Sequence, residues 1–362
     1  MPKISVIMPA YNHEKFIGEA IESVLNQSFK DFEFIIINDG STDNSEKITK
    51  KYEDRRIKYF KQKNRDAPYT INKGISLAKG KYISIINSDD KYEANRLKNL
   101  IEIAEDGGYQ FIFSDIVFID EFSNEIRNSG YSVVNWSERV KNRYSKCKSL
   151  LHTLLLGNIS FTTSNFFFNK KIIKDVGEFS TNRYTHDYDF LLRTLSKFND
   201  KVLYLKDNKY LYYRIHEKNT LKESHNKLNF EVYKLLINNL QLFLSEKENI
   251  NFINSINNIL QVNSKHYDLN NTKHSIKKLN EVTELISLYS NQVDNENDYK
   301  ILNSVLERIN LINNSYYDQN SYLKNFSRIV RFFYYKIPLK YRETKLVKYI
   351  NSLYFRFIKK IF

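Results

Sequence analysis

Three short stretches of the chain carry side chains that could do chemistry. "NSDD" (87–90) sets Asp89 and Asp90 side by side after the apolar run "YISII", and "NDGSTD" (38–43) follows "FEFIII". "THDYDFLLRTL" (185–195) places Asp187 and Asp189 at the start of a helical pattern. Carboxylates can hold a divalent cation together with substrate phosphates. They can also take a proton from an attacking hydroxyl, a service worth typically about 10²- to 10⁴-fold. The same residue types cap helices and make turns, so Asp43, Asn44 and Asp90 each admit a structural role. Asp89, Asp90 and Glu93 also suit a helix N-terminus, and an N-cap role is open for Asp187 and Asp189. A two-carboxylate hydrolase built on Asp89 and Asp187 is conceivable, but it leaves the polar residues at the first two strand ends without a purpose.

The elements that must position these groups follow from periodicity. "KISVIM" reads as a strand. "EKFIGEAIESVLNQ" reads as a helix with Ile17, Ile21, Val24 and Leu25 on one face, and "FEFIII" as the next strand. A helix near 44–53, a short strand "IKYF", a helix near 68–79 and the strand "YISII" continue the series. Alternation of this kind predicts an α/β fold with a mostly parallel central sheet flanked by helices and right-handed crossovers. Near-continuous apolar strands agree with burial on both faces. In such sheets ligands bind beyond the carboxyl ends of the strands, where strand order reverses. Those ends here read "MPAYN", "NDGSTD" and "NSDD".

Composition narrows the function classes. The chain has 362 residues, 41% of them hydrophobic, enough for at least one sizeable core and more consistent with two domains than one. Cys147 is its single cysteine, so it forms no internal disulfide and no thiolate metal cluster, and a reducing compartment fits best. The apolar run before Pro9 is too short for a signal-peptide core, and nowhere do 18 apolar residues run together. The expected location is cytoplasmic or peripheral at the inner face of the cell membrane. With nine glycines there is no Gly-rich phosphate loop, and "HEKFI" and "HEKNT" each lack the second His of a zinc metalloprotease motif.

"PAYN", "NDGSTDNS" and "NSDD", in this order and followed by "TTSNFFFNKKIIKDVGEFS" (162–180), "HDYDFLLR" (186–193) and "YYRIHEKNT" (212–220), resemble the family-2 glycosyltransferases. These are inverting enzymes with the GT-A fold, and the resemblance covers roughly residues 3 to 220. It implies that Pro9, Ala10, Tyr11 and Asn12 line the nucleotide base and that Asp39 contacts the base or ribose. Asp89 falls on the metal-binding acid of the DXD-like motif. Asn87 replaces the first acid of that motif, able to bond a ribose hydroxyl but without charge for the metal, and Ser88 and Asn72 fall on the donor side. Asp187 matches the catalytic base, with His186 where the family has Glu. His216 matches a position that the family sometimes uses on the metal or diphosphate, a surface histidine being the alternative. Asp66 and Ile71 replace a family Gly and Arg, and Arg65 or Lys73 is a candidate for the missing donor contact. The implied cofactor is Mn²⁺ or Mg²⁺, the implied donor a nucleotide sugar, UDP-linked by expectation. The implied acceptor is a cell-surface polysaccharide such as a capsule or lipopolysaccharide, or a lipid-linked glycan.

Beyond about residue 222 four amphipathic patterns predict an all-helical domain over 222–325. A basic aromatic segment, 326–362, follows: from Arg328 to Phe362 ten Lys or Arg stand against Glu343 alone. A solvated helix face explains that segment, and so does an interfacial helix pair on an anionic membrane. No nucleic-acid module accompanies it, so nucleic acid is not expected as a partner. Homo-oligomerisation is open. Two further readings stand beside the transferase over 1–221: a nucleotidyltransferase, and a non-catalytic membrane-associated scaffold derived from such an enzyme.

Overall fold

The computed structural model describes residues 1–127, 130–147 and 149–220, together with 228, 231, 232, 235, 236 and 239. The expected helical domain over 222–325, these six positions apart, and the basic segment 326–362 lie outside the described residues.

Strands β1 (Ile4–Ala10) and β2 (Phe32–Asn38) are buried at every position, as their mostly apolar runs lead one to expect. Between them α1 (Ile17–Leu25) buries Ile17, Ala20, Ile21 and Val24, spaced by three and four. It starts later than the pattern suggests because residues 13–16 form a turn in which His13 O accepts from both Phe16 N and Ile17 N at 2.9 Å. α2 (Ser45–Thr49) leads to β3 (Ile57–Lys61), parallel to β2. α2 ends before its expected limit, and Tyr52 beyond it bonds across to Glu22 through its hydroxyl at 3.0 Å.

The chain then returns through α3 (Asp66–Leu77) and lays β4 (Tyr82–Ile85) on the free side of β1, again parallel. α3 lies so close to β1 that a Cβ on Gly74 would sit 2.3 Å from Ile7 Cγ2, so glycine is required there. With β2 on one side of β1 and β4 on the other, the loops after β1 and β4 diverge and open a crevice.

After β4 come β5 (Lys91–Tyr92), α4 (Arg96–Gly107), β6 (Phe111–Ile119), α5 (Ser132–Cys147) and α6 (Leu150–Leu156). β7 (Phe167–Asn169), α7 (Ile173–Val176), α8 (His186–Phe198) and β8 (Val202–Arg214) complete the described part. The sheet runs β3-β2-β1-β4-β7-β6-β8-β5. Six of the eight strands share one direction, while β7 and β5 run antiparallel to their neighbours. The series is therefore mixed rather than parallel throughout. β5 and β7, two and three residues long, are too short to leave a periodic signal. α8 docks through Phe190, which stacks on Phe179 with centroids 4.0 Å apart and meets Phe168 at 5.4 Å. That packing seats α8 on β7 and on the segment after α7.

Candidate active site

Three side chains from distant parts of the chain converge at the ends of β1, β4 and β8. Asp89 follows β4, His13 follows β1 and His216 follows β8. One ligand atom of each lies within 4.8 Å of the others. His216 Nε2 is 2.9 Å and His13 Nε2 3.9 Å from Asp89 Oδ2. Phe16 backs the cluster, its ring 4.8 Å from that of His216. His13 Nδ1 lies 2.8 Å from Ser88 Oγ, which turns Nε2 toward Asp89. His216 Nδ1 accepts from the Lys218 N–H at 3.2 Å, so a singly protonated ring carries its proton on Nε2 and donates it to Asp89. Burial would raise the carboxyl of Asp89, but the neighbouring His13 and the His216 hydrogen bond outweigh it and hold the group below its ordinary value. Two imidazoles and one carboxylate form a donor set that suits a divalent cation, His216 offering Nε2 in the tautomer that carries its proton on Nδ1 and gives up the Lys218 contact.

The neighbouring acid does a different job. Burial, then the charge of Asp89, pushes Asp90 well above the usual carboxylate range. Its Oδ2 accepts from Ser164 Oγ at 2.5 Å and its Oδ1 from the Arg214 N–H at 3.0 Å. The fully buried Arg214 donates Nε to the Asp89 carbonyl at 2.8 Å, Nη1 to Asp120 O at 3.0 Å and Nη2 to Glu19 at 3.0 Å. Arg214 and Asp90 thus fix the loop that presents Asp89.

The residues expected on the donor side lie at the ends of β1, β2 and β4, apart from Asn72 in α3, and several are already engaged. Pro9 and Ala10 are buried inside β1, and Tyr11 is exposed at its end. Asn12, with φ of 52°, accepts from Thr42 N at 2.8 Å and so shapes the loop after β2. Asp39 is 3% exposed and accepts from Gln62 Nε2 at 2.7 Å and from the Arg65 N–H at 3.0 Å. Asn87 bonds Thr162 and Thr163, and Ser88 serves His13. Asn72 is engaged too: its Nδ2 donates to Phe179 O at 2.8 Å and its Oδ1 accepts from Phe179 N at 2.9 Å. It ties α3 to the segment after α7. Lys73 is likewise held by Gln62 at 2.9 Å, and the Arg65 guanidinium lies 3.4 Å from the Tyr69 ring centroid.

Asp187 lies in the first turn of α8, whose N-cap is Thr185, so it is not the cap. Its Oδ1 accepts from the Tyr188 N–H at 2.7 Å and its Oδ2 from Asn158 Nδ2 at 2.9 Å. Burial raises its pKa, the opposite of Asp89, leaving a stronger base. Asp189 is structural, paired with Arg193 at 2.8 Å and bonded by Asn239 at 3.2 Å. His186 Nδ1 lies 3.1 Å from Asn182 O, and Phe179 packs on its ring at 6.4 Å.

Sequence reading missed His13, Asn158, Ser164 and Arg214. His13 adjoins "PAYN" and Arg214 lies inside "YYRIHEKNT", so adjacency to a motif was the available signal. Asn158 lies between the quoted stretches and carried none.

Comparison with known proteins agrees with this fold. A family model described as glycosyl transferase family 2 matches residues 5–177. An uncharacterized glycosyltransferase of Rickettsia typhi is 32% identical over 261 residues, 69% of this chain and 74% of the relative. The structure of S. aureus TarS 1–349 in complex with UDP-GlcNAc superposes with a TM-score of 0.56 at 16% identity, covering 88% of this chain and 92% of that one. The mannosyltransferase PcManGT of Pyrobaculum calidifontis, in complex with GDP-Man and Mn²⁺, gives 0.51 at 12% identity, covering 93% and 88%.

Proposed function

Since the chain belongs to glycosyl transferase family 2, we propose that it is a metal-dependent inverting enzyme that moves a sugar from a UDP-linked donor to a hydroxyl of a glycan acceptor. The observation that carries this reading is the meeting of His13, Asp89 and His216 at the switch point between β1 and β4. His13, Asp89 and His216 would hold the cation. When bound it supplies positive charge against the leaving diphosphate. A set with two imidazoles disfavours Mg²⁺, which prefers oxygen ligands. The Mn²⁺ in the PcManGT complex and the UDP-GlcNAc in the TarS complex support the choice of probes.

Asp187 is assigned the base. Its carboxylate takes the proton of the acceptor hydroxyl while that oxygen forms a bond to the anomeric carbon. The bond from that carbon to the phosphate oxygen breaks, its electron pair leaving with the nucleoside diphosphate. Attack on the face opposite the leaving group inverts the centre. Asn158 fixes the rotamer of Asp187, and Asp39, Tyr11 and Asn12 frame the nucleotide side.

Calorimetric titration of UDP with and without Mn²⁺ tests the metal. Asp89→Ala should abolish the Mn²⁺-dependent part of binding, whereas Asp39→Ala should weaken binding in both conditions. Unchanged affinity in Asp89→Ala would refute the assignment.

A further inference from the structure

We propose that the half-buried ring of Trp136, walled by Phe161, is a stacking subsite for a pyranose unit of the acceptor. The inference rests on the reading of Asp187 as the group that faces the acceptor.

The segment 158–165 links the two acidic centres. At one end Asn158 donates to Asp187 at 2.9 Å. At the other Ser164 donates to Asp90 at 2.5 Å, and between them Thr162 Oγ1 accepts from Asn87 Nδ2 at 3.0 Å. Phe161 occupies the middle with φ of 67°. A bulky aromatic in the left-handed region costs on the order of 1–3 kcal/mol and persists only where its surroundings over-determine it. They do so here: Ser160 Oγ donates to Asn158 Oδ1 at 2.6 Å, and the Thr162 N–H donates to Ser160 O at 2.9 Å. The strained backbone aims an aromatic ring that stays half-buried.

Trp136 stands at right angles to that ring, centroids 5.4 Å apart. On another side it lies on the backbone of Gly157, where a Cβ would come within 2.9 Å of Trp136 Cζ2. Gly157 precedes Asn158, so the indole is two residues removed from a hydrogen bond to Asp187. The aromatic row continues through Phe118, 5.8 Å from Phe161, to Tyr213, 5.9 Å from Phe118. Burial, then the charges of Asp90, Asp89 and Asp187, raises the Tyr213 phenol, so the row ends in the field of all three acids. α5, which carries Trp136, is held by Lys141 Nζ at 3.5 Å from Asp115 Oδ2 and by Tyr144 against Tyr204 at 5.0 Å.

A pyranose ring offers a face of C–H groups that are weakly positive and apolar, complementary to the negative face of an indole. Stacked on Trp136, such a unit would lie against the segment whose next residue, Asn158, bonds Asp187. Apolar aromatic surface with a few convergent polar groups is the usual make-up of a small-molecule site.

Trp136 is the one tryptophan in the sequence, so its emission reports on this position alone. The full chain, without donor, is titrated with methyl β-D-glucopyranoside, methyl β-D-galactopyranoside and methyl N-acetyl-β-D-glucosaminide, with glycerol as control. A saturable change in emission is expected with at least one pyranoside and none with glycerol. Phe161→Ala should weaken that binding at least about tenfold. Phe161→Leu, which keeps an apolar side chain, is the substitute if the alanine variant does not fold. Emission that stays flat across all three pyranosides, or an unchanged affinity in a folded Phe161 variant, overturns the proposal. UDP binding, measured by calorimetry on the same protein, reports separately on the donor reading.

Discussion

The carboxyl of Asp187 sits above its ordinary pKa because burial penalises the ionised form, only partly offset by the charge of His186 and by hydrogen bonds from the Tyr188 N–H and Asn158. A base must be ionised to work, so the rate should fall as pH drops through this raised value, and the acid limb should lie above that of an exposed aspartate. Removing a donor that favours the carboxylate raises the value further. Asn158→Ala should therefore move the limb of kcat/KM to higher pH, which a rate profile measured with saturating metal would reveal; a limb that stays in place would remove Asn158 from this role. An amide at position 187 accepts no proton, so Asp187→Asn should keep UDP affinity but lower turnover by roughly 10² or more. Wild-type turnover in that variant would leave the carboxylate with only a structural duty, accepting from the Tyr188 N–H and Asn158. His186→Ala should cost less, because His186 touches Asn182 and Phe179 rather than the carboxylate's hydrogen-bonding oxygens.

Among the strands, β2 carries the one charged side chain of the buried β1–β2 pair. Glu33 is 4% exposed, accepts from Ser5 Oγ on β1 and the Lys79 N–H before β4, both at 2.6 Å, and pairs with Lys58 on β3. Burial alone would raise its carboxyl, but Lys58, Ser5 and Lys79 together hold it low. Its folded pKa is thus below its unfolded value near 4.3, so its stabilisation is full above that pH and is lost as pH falls through the lowered value. Glu33→Gln should cost about 1–3 kcal/mol at neutral pH. The Tm difference from wild type should shrink on acidification, and a difference that stays constant down to acid pH would show that charge is not the cause. The apolar runs of β1, β2 and β4 were legible because burial on both faces leaves a continuous signal. Asp89 and Asp187 were legible as positions because they belong to recurring motifs. The work of Asn72 was not, because a hydrogen bond to Phe179 across 107 residues leaves no trace in local spacing. The same holds for Arg214, whose partners Glu19, Asp89 and Asp120 come together only in the folded sheet.

At the scale of the whole chain, charge and site are separated along the sequence. The net charge is +14, and the stretch from Arg328 to Phe362 alone holds ten basic residues against Glu343, interleaved with Phe and Tyr. Among the described residues no helix is long and apolar enough to cross a membrane. Attachment to a bilayer surface remains open to the C-terminal stretch, because clustered Lys and Arg near an anionic leaflet are worth roughly 1 kcal/mol each and aromatics enter the headgroup boundary. Surface attachment would bring a soluble nucleotide sugar and a lipid-linked glycan to the same crevice. Truncation after Asn325 should then release the protein from phosphatidylserine vesicles while leaving transfer to a water-soluble acceptor intact, since His13, Asp89, Asp187 and His216 all precede the cut. Binding of the full chain should also weaken as salt is raised, because the surface potential decays within a Debye length of about 8 Å at physiological ionic strength. Cosedimentation of full-length and truncated protein at two salt concentrations measures both effects. Vesicle binding that survives truncation would place the contact elsewhere, and binding that survives high salt but not truncation would assign it to the aromatics rather than to the charge.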